Sequence, residues 1–179
     1  MKKVSDIHAI KIIFFITACY VGLWAIRIPT IKDQLQTDYV GVGYIMLSFA
    51  IGSIVAMIFA NALILKTSTK SILTCTLIAE GCLWLPVPFI QELWLFMVFS
   101  FVFGMSYGAF EIACNVYASN LEVREKKSMM SGFHAFWSLG VLFGSLITSF
   151  LLEWNYSFIF NILLLSLIHI SEPTRQHAI

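Results

Sequence analysis

Between residues 12 and 164 the chain alternates long apolar runs with short polar breaks, and the runs are as long as a bilayer is thick. They cover 12–28, 41–65, 72–89, 93–117 and 131–152, and a sixth begins at 156 and is read as truncated at 164. A helix needs about 20 apolar residues to cross the hydrocarbon core. No water is available there to bond a bare backbone, so runs of this length are read as membrane-spanning helices. The fold class expected is all-α, a polytopic membrane bundle of six transmembrane helices. Composition agrees: 59% hydrophobic and 12% charged residues fall outside the make-up of a soluble domain. Lys2 and Lys3 ahead of the first run imitate a signal peptide. That run is too long and has no small-residue cleavage site, so it is read as a retained first span.

The net charge of +1 offers no basic surface for nucleic acid, and charge is informative only through its placement. Lys2, Lys3 and Lys11 precede the first span, Lys66 and Lys70 follow the second, and Arg124, Lys126 and Lys127 follow the fourth. All of these fall on one side of the membrane, against Arg27 and Lys32 on the other. Basic loops favour the cytoplasm, so the N-terminus is expected inside the cell. The breaks between spans three and four and between five and six are very short, which makes each pair antiparallel neighbours.

Polar residues inside the spans carry the functional argument, because lipid gives them no partners. On span four Gly104, Gly108, Glu111, Asn115 and Ala118 recur at intervals of four and three, which is one helix face. Glu111 and Asn115 are expected to face a cavity. There the acid would take up a proton from one side of the membrane and release it to the other, and the amide would bond a solute hydroxyl or Glu111 itself. Glu80 in span three is a second intramembrane acid, either a cavity group or a structural partner. His134 lies in the first turns of span five, where a local bond and a functional role both remain open. Tyr20, Trp24 and Arg27 share a face of span one and either line the pathway or anchor the helix at the outer interface. Glycines at helix packing spacings form two further stripes: Gly52 with Ser48, Ala56 and Ala60 in span two, and Gly132, Gly140 and Gly144 with Phe136 in span five. Gly104 and Gly108 add a packing surface on span four.

Cys19, Cys75, Cys82 and Cys114 all lie in apolar runs without the close pairing that metal or redox motifs need, so they read as small core residues. No metal and no cofactor is expected. An intramembrane enzyme built on Glu111, Asn115 and His134 is the alternative from another class. Against it stand the lack of paired histidines one turn apart and of a serine in a nucleophile turn.

From residue 165 the chain reads LSLIHISEPTR, which matches the in-frame translation of a transposon-end adapter used in preparing DNA libraries. Residues 165–179 are therefore expected to be a non-native tail after a 1–164 membrane domain. On that reading the native sequence after Leu164 is missing, and the chain alone is either half of a carrier or a non-functional fragment.

The words WAIRIPTIKDQL at the end of span one, GAFEIACNV in span four and SGFHAFWSLG in span five resemble the major facilitator superfamily. They resemble in particular its branch of fucose-permease-like and related bacterial inner-membrane proteins. The resemblance implies the N-terminal half of such a transporter, a six-helix 3+3 inverted repeat, with the C-terminal half of the same transporter as its partner. It implies secondary transport of a small polar solute with a proton, in which Glu111 matches the acid that proton-coupled sugar carriers place in span four. Span one here has no acid, unlike those sugar carriers. In the loop NALILKTSTKS after span two, Leu65 and Ser68 stand where the family usually has an acid and a glycine.

Overall fold

The computed structural model describes residues 2–171. Six helices follow one another: α1 (Lys2–Gln34), α2 (Tyr39–Lys66), α3 (Thr69–Leu83), α4 (Leu93–Glu125), α5 (Met130–Glu153) and α6 (Phe158–Ser171). A single 3-10 turn, Val87–Phe89, stands between α3 and α4, and no strand occurs among the described residues. Five stretches are long and apolar enough to cross a membrane: Asp6–Gln34, Tyr39–Lys66, Thr69–Phe89, Leu93–Glu125 and Met130–Glu153. The expected tail begins inside α6, and residues 172–179 lie outside the described residues.

The helix ends have local causes. Asp38 accepts the Gly41 amide at 2.9 Å and Ser68 accepts the Ser71 amide at 3.1 Å, so α2 and α3 each open on a side-chain cap. Gln36, Lys126 and Asn155 take left-handed conformations (φ 47°, 52° and 57°) just past α1, α4 and α5, a common way for a helix to stop. Pro86 and Pro88 end α3 and leave carbonyls without helical donors. The Gln34 amide nitrogen bonds two carbonyls of this stretch, Val87 O at 2.9 Å and Ile90 O at 2.6 Å.

Two helices run further than their apolar runs. The first span, expected to close at Pro29, continues to Gln34 with the proline inside it. The carbonyl that loses its donor belongs to Ala25, four residues back. Helix α4 likewise continues eight residues past 117 as a polar extension.

The chain divides into two compact units, Met1–Arg27 with Ala118–Ile179, and Ile28–Tyr117. In the first, α1 packs closely on α5. A β-carbon at Gly140 would strike Phe15 O, one at Gly144 would strike the Cys19 backbone, and one at Gly22 would strike Val141 O. Phe14 stacks on the fully buried Phe133 at 5.9 Å, and Ala18 and Leu23 further along α1 are fully buried. Gly132 differs from the other stripe glycines: among the described residues nothing lies within 4 Å of its β-position. The close-packed face of α5 therefore starts at Gly140. In the second unit α2 packs on α4 the same way, with Gly52 against Phe101 O, Gly104 against Phe49 O and Gly108 against Ser53 O. Ser48 Oγ donates to Met97 O at 2.7 Å along this seam. Large apolar side chains such as Ile54, Ile58, Phe59, Leu142, Leu146 and Phe150 are exposed on the outer faces, which suits lipid and not water.

Candidate functional site

The face of α4 divides along its length. Gly104 and Gly108 are used up by the backbone of α2, whereas Glu111 and Asn115, one and two turns further on, are half-buried. A carboxyl and an amide are thus presented one turn apart on a helix whose preceding turns are fixed by direct backbone contact. Glu80 lies in the same unit on α3, 4% exposed, and its Oε1 has no hydrogen-bond partner among the described residues. One turn beyond it, Trp84 meets Phe103 of α4 edge to face at 5.4 Å. The short α3–α4 link makes these helices antiparallel neighbours. The Tyr107 ring meets Phe49 of α2 at 5.4 Å, and Cys114 on the same helix is buried.

The other unit holds the residues expected from α1. Tyr20 is buried, Trp24 half-buried and Arg27 2% exposed. Arg27 Nε donates to Asn161 Oδ1 and its Nη2 to Tyr156 O, each at 3.3 Å, and the guanidinium lies 5.2 Å above the Phe158 ring. Its partners thus come from the start of α6 and the loop before it. Asn161, fully buried in the word FIFNILLL, escaped the sequence reading, although an amide in an apolar run is the same kind of signal that singled out Asn115. His134 is exposed, edge-on to Phe14 at 5.5 Å, and Lys11 lies 5.0 Å above Phe136 nearby.

A further group that the sequence reading passed over is Glu122, near the end of α4. Its carboxylate accepts the backbone amides of Met129 and Met130, the latter at 2.7 Å. It thereby caps α5, whose own N-cap residue Met129 supplies no side-chain bond, with a negative charge at the positive end of the helix. Arg124 beside it pairs with Asp6 of α1 at 2.6 Å. Among the described residues no group of three His, Cys, Asp or Glu is placed to hold a metal ion.

The family model of the Major Facilitator Superfamily matches residues 12–171. An uncharacterised MFS-type transporter of Yersinia pestis is 29% identical over 145 residues, covering 79% of this chain and 37% of that protein. An uncharacterised transporter of Sinorhizobium fredii is 25% identical over 141 residues, covering 74% of this chain and 35% of its own length. The chain thus spans a little over a third of the curated relatives it matches. No solved structure matches it at a significant level. With apolar helices of spanning length and a family match over most of the sequence, this is a multi-pass membrane protein that belongs to the major facilitator superfamily.

Proposed function

We propose that the chain is the N-terminal half of a secondary transporter that moves a small polar solute together with a proton across the bacterial inner membrane. The observation that carries this reading is the half-buried pair Glu111 and Asn115, one turn apart on a membrane helix whose preceding turns are locked to α2. Glu111 takes up the proton and gives it up on the opposite side. Asn115 donates to and accepts from the solute or the Glu111 carboxyl. Tyr20 and Trp24 are the aromatic groups assigned to solute contact, and His134 is assigned to the proton path at its cytoplasmic end. The curated relatives, of which this chain covers about a third, support a second half as its partner. The family membership supports transport over the enzyme alternative.

The test uses the whole carrier expressed in cells, with a panel of labelled sugars, organic acids and amines to find a solute whose uptake follows an imposed pH gradient. Glu111→Gln should abolish that accumulation while leaving solute exchange at equal pH on both sides. Undiminished accumulation by this variant would remove Glu111 from the coupling mechanism.

A further inference from the structure

Arg27 and Asn161 form a buried pair with more donors than the described residues answer. Of the five N–H groups of the guanidinium, Nε goes to Asn161 Oδ1 and Nη2 to the Tyr156 carbonyl, each at 3.3 Å. Both acceptors are neutral. Among the described residues Arg27 forms no ion pair with a carboxylate, and Glu153, the acid at the end of α5, is exposed and unpaired with it. Asn161 is fully buried, and its Nδ2 has no acceptor among the described residues. The oxygen of this amide must be the atom that faces Nε, since two donors would repel, so the unpartnered atom is a donor. Buried donors are ordinarily bonded. This one lies beside a cation that no described acid neutralises.

The donors gather at the start of α6. Ser157 Oγ accepts the Phe160 amide at 3.2 Å and opens that helix, and Phe158, beneath the guanidinium, and Asn161 stand in its first turns. A helix is positive at this end, so α6 adds to the charge of Arg27. A guanidinium, a buried amide donor and a positive helix end have an anion as their complement, and a planar carboxylate suits them best, because it accepts two bonds side by side. Tyr156, whose carbonyl Arg27 holds, belongs to an exposed turn over residues 153–157. One short turn therefore stands between these donors and the surface of the protein. Trp24 and Tyr20 follow one and two turns back along α1.

We propose that the solute of the carrier is an organic anion, and that Arg27 and Asn161 hold its carboxylate while Trp24 and Tyr20 take its body. One carboxylate oxygen accepts from the guanidinium and the other from Asn161 Nδ2. The bond from Nε to Oδ1 is kept and holds the two donors side by side. The inference rests on the chain being half of a solute carrier and names the class of solute.

The test uses the purified whole carrier and matched solutes: lactate with lactamide, succinate with succinamide, glucuronate with glucose, at an ionic strength held constant with sodium chloride. A carboxylate member should raise the melting temperature above that in sodium chloride, and its neutral partner should not. Asn161→Asp puts a carboxylate where that of the solute would lie. It should raise the melting temperature by itself and remove the response to added carboxylates. In cells, its KM for the labelled anion should rise at least about tenfold. The melting temperature of the variant also shows that it has folded. No rise over sodium chloride with any carboxylate, an equal rise with the neutral partners, or a response that survives Asn161→Asp overturns the proposal. Uptake of a neutral solute that depends on Glu111, with no response to carboxylates, would overturn this inference and leave the transport reading standing. Carboxylate binding that is lost in Asn161→Asp, with uptake indifferent to Glu111, would uphold the site and remove the proton coupling.

Discussion

Arg27 shows how a polar residue in a membrane helix can be noticed in the sequence while its partners stay hidden. In the sequence it is a cation near the end of a span, equally suited to a pathway or to the interface. In the structure its Nε and Nη2 are spent on Asn161 and Tyr156, and its plane lies over Phe158. A guanidinium can do all of this at once and an ammonium cannot. Arg27→Leu would leave the buried Asn161 oxygen unpaired and take its donor from the part-buried Tyr156 carbonyl, costing about 1–3 kcal/mol. Arg27→Lys should recover only part of that loss. The readout is the melting temperature of the purified carrier in detergent. Arg27→Leu and Asn161→Leu together should cost less than the sum of the two, because they share one interaction. Unchanged melting with Arg27→Leu would mean that the residue's work lies elsewhere, in the solute pathway. Asn161 was as visible as Asn115 in principle. What the sequence lacks is the pairing across 134 positions that gives the amide its purpose.

At the level of the helices, spacing of small residues was the most legible signal, and its limits are equally instructive. Intervals of four pick out a face, and the faces of α2, α4 and α5 do carry glycines pressed against a neighbouring backbone. Spacing does not say which helix is the neighbour or where its contact stops. The pairings of α1 with α5 and α2 with α4 come only from the structure, and so does the open position of Gly132 among the described residues. The two ends of one stripe should therefore respond differently. Gly144→Ala puts a methyl group into the backbone of Cys19, which cannot swing aside as a side chain would, and overpacking of this kind costs about 1–3 kcal/mol. Gly132→Ala meets nothing described and adds helix propensity, so it should be neutral or mildly stabilising by up to about 1 kcal/mol. Thermal melts of the two variants side by side decide it. Equal losses at both positions would show that the stripe acts as a whole and not through the contact at Gly144. The reading of Pro29 as a stop fails for a related reason: a proline forbids one bond, and a long helix can lose one bond at an exposed turn and continue.

For the molecule as a whole, the charge pattern predicts an orientation, and two contacts sharpen it. Arg27, which counted toward the outer side, is buried in the protein and offers no charge to a loop. Lys32, the other outer cation, is paired with Asp33 at 2.8 Å. The bias toward the opposite side, with Lys66, Lys70, Lys126 and Lys127 in or beside its loops, is therefore stronger than a bare count gives. The Asp6–Arg124 pair at 2.6 Å adds an independent constraint. It joins the start of α1 to the end of α4, which four complete crossings place on the same face. Single cysteines in a background freed of the native four test the orientation of the whole carrier. Thr67→Cys and Ser128→Cys should react with a membrane-impermeant maleimide only after the cells are opened. Gln91→Cys and Glu153→Cys should react in intact cells. The reverse pattern would place the N-terminus outside. A mixed pattern, with Thr67 and Ser128 on different sides, would mean that α3 and α4 do not both cross.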